Sequence, residues 1–97
     1  MRYRVHVSPP AAAAFNKLSP DVRTMIYPHL TALADDPYPP SSKPLTGNLK
    51  GWRSLRVGDY RIGYGVVRAK GLIRVRMVAD RRDFHGIMAR LADEPLE

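Results

Sequence analysis

The chain has 97 residues, 44% of them hydrophobic, no cysteine, and a formal net charge of +7. That length suits one domain spanning residues 1–97, which would bury roughly 60–68% of its unfolded surface, and leaves no room for a second. The lack of cysteine excludes disulfides and thiolate chemistry, and no apolar run is long enough to span a bilayer or to form a signal peptide, so a cytoplasmic protein without membrane contact is expected.

Arg2 to Val7 alternate polar and apolar, with Tyr3, Val5 and Val7 on one side, and predict a first strand. Ser8-Pro9-Pro10 ends it, and Ala11, Phe15 and Leu18 follow at helical spacing. Ser19-Pro20-Asp21 offers a second helix start, with a capping hydroxyl, a proline at the first helical position and an acid in the first turn. Val22, Ile26, Leu30 and Leu33 carry that helix to about Ala34, with a kink at Pro28 or a break near Tyr27 expected because proline removes a hydrogen bond. Asp35 to Pro44, DDPYPPSSKP, is predicted to be a loop.

In WRSLRVGDYRIGY, Gly58-Asp59 suits a two-residue hairpin loop, since glycine can take the positive φ of the first central position. Counting back along each strand places Val57 opposite Tyr60, Arg56 opposite Arg61, Leu55 opposite Ile62 and Ser54 opposite Gly63. Leu55, Val57, Tyr60, Ile62 and Tyr64 then share a core-facing side, while Ser54, Arg56, Arg61, Gly63 and Gly65 share a basic and nearly bare one. Two guanidinium groups about 5 Å apart would repel by about 3 kcal/mol at an effective dielectric of about 20 unless they splay. Leu72 to Ala79 predict a further strand, with Ile73, Val75 and Met77 alternating with Arg74 and Arg76. Phe84, Ile87, Met88 and Leu91 predict a short last helix ending before Pro95. The order β-α-α-β-β-β-α describes an α+β domain with helices against an antiparallel sheet.

The charge is unevenly placed. From Lys43 to Arg82 there are eleven lysines and arginines against two aspartates, Asp59 and Asp80, so the remainder of the chain is net negative. A basic domain of this kind meets nucleic acid, an anionic membrane or an acidic protein. The glycines between Gly58 and Gly65 lack the lysine-threonine ending and following helix of a phosphate loop. His6, His29 and His85 lie far apart in sequence without a carboxylate cluster, which argues against a metal site, and no nucleophile elbow is present. What remains is a set of cations able to grip phosphates and to stabilise a phosphoryl transition state. His85, at the start of the last helix, is either a surface residue or a proton carrier, since histidine titrates near neutrality. Trp52 either packs an edge or stacks a base, Tyr64 falls on the core side, and Gly63 and Gly65 either weaken the strand or clear space beside Arg61 for a ligand backbone.

The run KPLTGNLKGWRSLRVGDYRIGY, followed by an alternating strand and ADRRDFH, resembles the RelE/ParE superfamily of bacterial toxins over essentially the whole chain. The resemblance implies an N-terminal strand, a helical hairpin, antiparallel strands in one curved sheet and a short C-terminal helix. It further implies the toxin of a type II toxin-antitoxin system, a ribosome-dependent endoribonuclease that cuts A-site mRNA by 2′-OH attack without metal or cofactor. Implied partners are the ribosome, mRNA and a RelB-like antitoxin that covers the basic surface in a hetero-oligomer. By the same resemblance Arg61 contacts the scissile phosphate, Arg81 assists, and His85 stands where many members have a tyrosine, completing the catalytic set. Lys43, Lys50, Arg53, Arg56 and Arg82 form the RNA-binding set. Ser54 occupies a position where the family often has lysine, so Lys50, Arg53 or Arg56 would supply that charge, and Arg82 could substitute for Arg81. The competing classes are a ParE-like DNA gyrase inhibitor without nuclease activity and an inactive basic module.

Overall fold

A computed structural model describes residues 2–91. Along the chain run β1 (Arg4–Val7), α1 (Pro9–Asn16), α2 (Pro20–Ala32), β2 (Ser42–Pro44), β3 (Trp52–Val57), β4 (Tyr60–Val67), β5 (Leu72–Asp80) and α3 (Phe84–Arg90), with 3-10 turns at Gly47–Leu49 and Arg68–Lys70.

Both long helices start as the capping serines dictate. The Ser8 hydroxyl accepts from the Ala11 N–H at 3.3 Å and the Ser19 hydroxyl from the Val22 N–H at 3.4 Å, each with proline in the first turn. The break expected near Tyr27 does not occur, and α2 continues through Pro28. Pro28 lies on the exposed side of α2, and Thr24, whose carbonyl loses its partner, is exposed as well, so water can replace the missing bond.

The five strands lie in the order β1-β5-β4-β3-β2. The later strands are antiparallel as expected, while the N-terminal strand β1 joins one edge by running parallel to β5, from Arg4 opposite Leu72 to Val7 opposite Val75. The helical hairpin carries the chain from that edge to the opposite one, where β2 joins β3. The loop predicted over Asp35 to Pro44 therefore ends in a strand of three residues. Proline obscured it, yet Pro44 fits an edge: Leu45 donates to Trp52 and Arg56 to Ser41, which places the Pro44 nitrogen on the side away from β3, where no donor is needed.

A second difference lies in β5. The ladder with β4 shifts register between Gly63 and Tyr64, so Gly63 faces Met77 while Tyr64 faces Val75. Arg76 is the extra residue of this bulge, and alternation breaks there. Ile73, Val75 and Val78 face one core, whereas Met77, expected beside them, joins Ala79 in the other. The bulge is tied to β1 and α1 by Ser8, whose hydroxyl donates to the Arg76 carbonyl at 3.1 Å while capping α1.

The sheet thus buries both faces. On one, Ala11, Ile26, Leu30 and Leu33 of the helical hairpin pack on Leu55, Val57, Ile62, Tyr64, Ile73, Val75 and Val78. On the other, Phe84 and Met88 of α3 pack with Met77, Ala79, Trp52, Leu45 and Leu49. Gly63 makes the second packing possible. A Cβ there would come within 2.6 Å of the Met88 sulfur and 3.0 Å of a Phe84 ring carbon. Gly63→Ala is expected to lower stability by about 1–3 kcal/mol through overpacking, read as a fall in the denaturation midpoint, and Met88→Ala in the same chain should restore part of the loss. An unchanged midpoint for Gly63→Ala would show that α3 does not sit this close.

Candidate nucleic-acid interface

The hairpin adopts the register counted from its sequence, with Gly58 at φ +60° and Val57 opposite Tyr60, Arg56 opposite Arg61, Leu55 opposite Ile62 and Ser54 opposite Gly63. Because Val57 and Tyr60 close the two-residue turn, Arg56 and Arg61 form a non-hydrogen-bonded pair, the arrangement in which facing side chains approach most closely. Their ends splay. Arg61 Nη1 donates to the Ser54 hydroxyl at 3.2 Å, and Arg56 Nε donates to the Gly58 carbonyl at 3.3 Å, so each guanidinium leans along the hairpin in an opposite direction. Both acceptors are neutral, and among the described residues no carboxylate pairs with either arginine. Ser54 is 1% exposed, which fixes the anchor that holds Arg61.

Cross-strand partners share a face, so the other cations can be placed against this pair. Lys43 of β2 lies opposite Ser54, and Ala79 of β5 lies opposite Arg61. Arg81 follows two residues beyond Ala79, at the end of the sheet that carries the hairpin turn. Its backbone N–H donates to the Asp59 carbonyl at 2.8 Å, and its Nε stands 4.0 Å from an Asp59 carboxylate oxygen. Arg82 turns back on Asp80, donating through its backbone N–H at 2.9 Å and its Nε at 3.1 Å. His85, exposed on α3, rests edge-on against the Phe84 ring at 5.4 Å and shares a cleft with Lys43.

Other candidate residues lie apart. Arg53 is on the opposite side of β3 from Ser54, where its guanidinium sits 4.9 Å from the centre of the Tyr38 ring and donates to the Ser42 hydroxyl at 3.0 Å. Lys50 is exposed at the end of the Gly47–Leu49 turn. Trp52 packs in the α3 core at 5% exposure, closed to base stacking. Tyr64 is fully buried and donates to the Pro37 carbonyl at 2.7 Å. Gly63, expected either to weaken the strand or to clear space for a ligand backbone, makes room for Met88 and Phe84.

Two features escaped the sequence. Ser54 read as a lysine missing from a phosphate site, yet it orients Arg61. Lys43 read as a loop lysine, yet a short strand brings it opposite Ser54, and the only local signal was the alternation of Ser42, Lys43 and Pro44. An anion entering this face would meet Arg61 in a fixed pose, with Arg56 and Lys43 on neighbouring strands and Arg81 at the end of the sheet. The planar guanidinium donors suit the non-bridging oxygens of a phosphodiester. Among the described residues no three histidine, cysteine, aspartate or glutamate side chains gather into a group that could hold a metal.

No protein-family model matches the sequence, and no curated protein matches it. Solved structures do match. A chain of the RelBE2 toxin-antitoxin complex of Mycobacterium tuberculosis aligns with 84% of this chain and 100% of its own length, at 26% identity and a TM-score of 0.76. The chain has the RelE toxin fold. A chain of the archaeal RelE-RelB complex of Pyrococcus horikoshii OT3 covers 84% of it and 97% of its own length at 24% identity and a TM-score of 0.69. The isolated RelE toxin of E. coli covers 92% and 98% at 19% identity with the same TM-score of 0.69. On this RelE-like frame the basic residues of the hairpin and of the segment after β5 come to one end of the sheet.

Asp80 and Arg82 make a separate, titratable contact. Hydrogen bonds from the Arg82 backbone and then its side chain hold the Asp80 carboxyl below its ordinary value of 3.8, and the same side-chain bond raises Arg82. A carboxyl whose folded value is depressed adds stability above its unfolded value and loses it as pH falls through the folded one. The Asp80 resonance should therefore titrate below 3.8, and Arg82→Ala should move its midpoint upward; a midpoint indifferent to Arg82→Ala would contradict the pairing.

Proposed function

We propose that the chain is the toxin of a toxin-antitoxin pair and acts as a ribosome-dependent mRNA endoribonuclease. The toxin assignment is supported by the likeness to the RelBE2 and RelE-RelB complexes. The nuclease assignment rests on one observation, that Arg61 is held by a buried hydroxyl and, among the described residues, pairs with no carboxylate, on a face shared with Arg56 and Lys43.

In this reading the RNA supplies its own nucleophile. The 2′-OH of one nucleotide attacks the adjacent phosphorus, the P–O5′ bond breaks, and a 2′,3′-cyclic phosphate and a 5′-OH are formed. Negative charge grows on the equatorial oxygens as phosphorus becomes five-coordinate, and the Arg61 guanidinium, with Arg81 beyond it, stabilises that charge. His85 carries the proton, taking it from the 2′-OH or delivering it to the leaving O5′. No metal is required by this route. Arg56 and Lys43 hold neighbouring phosphates, while Arg82 is engaged with Asp80, Arg53 with Tyr38, and Lys50 lies apart. A flexible strand reaches the in-line geometry rarely by itself, and a ribosome presenting mRNA in a fixed path would supply that positioning. The partner that silences such a surface is an antitoxin with an acidic segment, in a toxin-antitoxin hetero-oligomer.

The test is a translating extract with mRNA 5′ ends mapped after addition of the protein. Codon-phased cuts are expected, falling about 10²–10³-fold in Arg61→Ala, the loss associated with one transition-state donor, and roughly five- to tenfold in Ser54→Ala, the worth of one hydrogen bond. Intact mRNA together with arrested gyrase would overturn the nuclease in favour of a gyrase inhibitor.

A further inference from the structure

Two consecutive arginines follow β5, and the sheet sends them to different sides. Side chains alternate along the strand: Ala79 stands opposite Arg61, whereas Asp80 stands opposite Tyr60, which packs with the helical hairpin on the other face. The Arg81 N–H donates to the Asp59 carbonyl at 2.8 Å and carries the ladder one residue further, so alternation returns Arg81 to the Arg61 side. Arg82 has left the ladder. The chain turns there, with the Asp83 N–H donating to the Asp80 carbonyl at 3.0 Å, and a long side chain at such a turn can reach either face.

Two carboxylates hold these arginines unequally. Asp80 takes Arg82 by three bonds: its Oδ1 accepts from the Arg82 backbone N–H at 2.9 Å and from Nε at 3.1 Å, and its Oδ2 accepts from Nη2 at 3.5 Å. Among the described residues the ion pair of Arg81 is a single contact, Nε to an Asp59 carboxylate oxygen at 4.0 Å. That distance is too long for a hydrogen bond, so the attraction is ionic and open to screening, whereas Arg82 must give up a two-pronged, charge-assisted grip to move. The four side chains line a polar cleft of about 260 Å³ at the end of the sheet that carries the hairpin turn.

We propose that Asp80 is a positioning residue that assigns Arg81, and not Arg82, to the phosphate, by holding Arg82 toward the opposite face of the sheet. The inference rests on the RNA reading above and deepens it, since it names what chooses between two adjacent cations of the same chemistry. An arriving phosphate draws Arg81 from its long contact with Asp59 and leaves Arg82 on Asp80. Charge gives a second reason. Arg56, Arg61 and Arg81 already crowd one side, and a fourth guanidinium there would add repulsion in the free protein, which the Asp80 carboxylate removes by pairing with it. Asp80 touches no RNA in this scheme and acts through Arg82.

The experiment is a mutant cycle read in the translating extract, joined to a titration of the protein with a 2′-O-methyl oligonucleotide, which cannot be cleaved, while arginine Nε–H resonances are followed. Arg81→Ala should slow codon-phased cutting about 10²-fold in the parent but only about tenfold in Asp80→Ala, where Arg82 is released to take its place. Adding Arg82→Ala to that double variant should bring back the full loss. The oligonucleotide should shift the Arg61 and Arg81 signals in the parent, and the Arg82 signal as well in Asp80→Ala. An Asp80 that served stability alone would lower both backgrounds by one factor. An equal loss from Arg81→Ala in the two backgrounds, a rescue that survives Arg82→Ala, or an Arg82 signal that shifts with Arg81 in the parent would overturn the proposal and leave the RNA reading intact. A parent that makes no cuts and shows no arginine shift would overturn the RNA reading and this proposal with it.

Discussion

Two arginines placed opposite one another across a tight hairpin, with no carboxylate of the described residues paired to either, are the constraint on which the site depends. Gly58 closes the turn with its positive φ, the closure fixes the register, and the register forces Arg56 and Arg61 into the closest kind of cross-strand pair. A protein selected only for stability would put an acid at one of these positions. Here each guanidinium finds a neutral oxygen instead, Arg61 on Ser54 and Arg56 on Gly58, so geometry is held without neutralising charge. The unmet electrostatic demand is what a phosphate chain would satisfy.

The second face of the sheet is divided between packing and an open, basic end. Gly63 lets Phe84 and Met88 descend onto the strands, and this core supports the Gly47–Leu49 turn and seats His85 at the edge of the covered area. Beyond it the sheet is open toward the hairpin turn, where Arg56, Arg61 and the Arg81-Arg82 segment lie. The helical hairpin takes the other face entirely, with Tyr64 buried beneath it. One sheet thereby serves as a core layer on one side and as both core and the proposed binding surface on the other.

Much of this was legible in the chain because its signals are local. The capping serines before Pro9 and Pro20, the Gly58-Asp59 turn and the spacing of Phe84, Ile87 and Met88 each act within a few residues, and the hairpin register follows by counting. What was not legible depends on partners distant in sequence. Three residues of β2 become a strand only because β3 is beside them, and the edge position is what makes Pro44 acceptable. The parallel pairing of β1 with β5 joins residues 68 apart, and the bulge at Arg76, which sends Met77 to the other core, is stabilised by Ser8 at the same separation. The same distance limit applies to the site: the facing arginines could be counted out, whereas the role of Ser54 and the arrival of Lys43 opposite it required the folded sheet.

If the arginine pair is a strain that an anion relieves, removing one member should help the free protein. The decisive measurement is the denaturation midpoint of Arg56→Met against the parent chain, in low salt and in about 1 M salt, where the screening length falls to about 3 Å. The account predicts a more stable variant in low salt and a difference that fades as salt rises. A variant less stable than its parent by the same amount at both ionic strengths would contradict it.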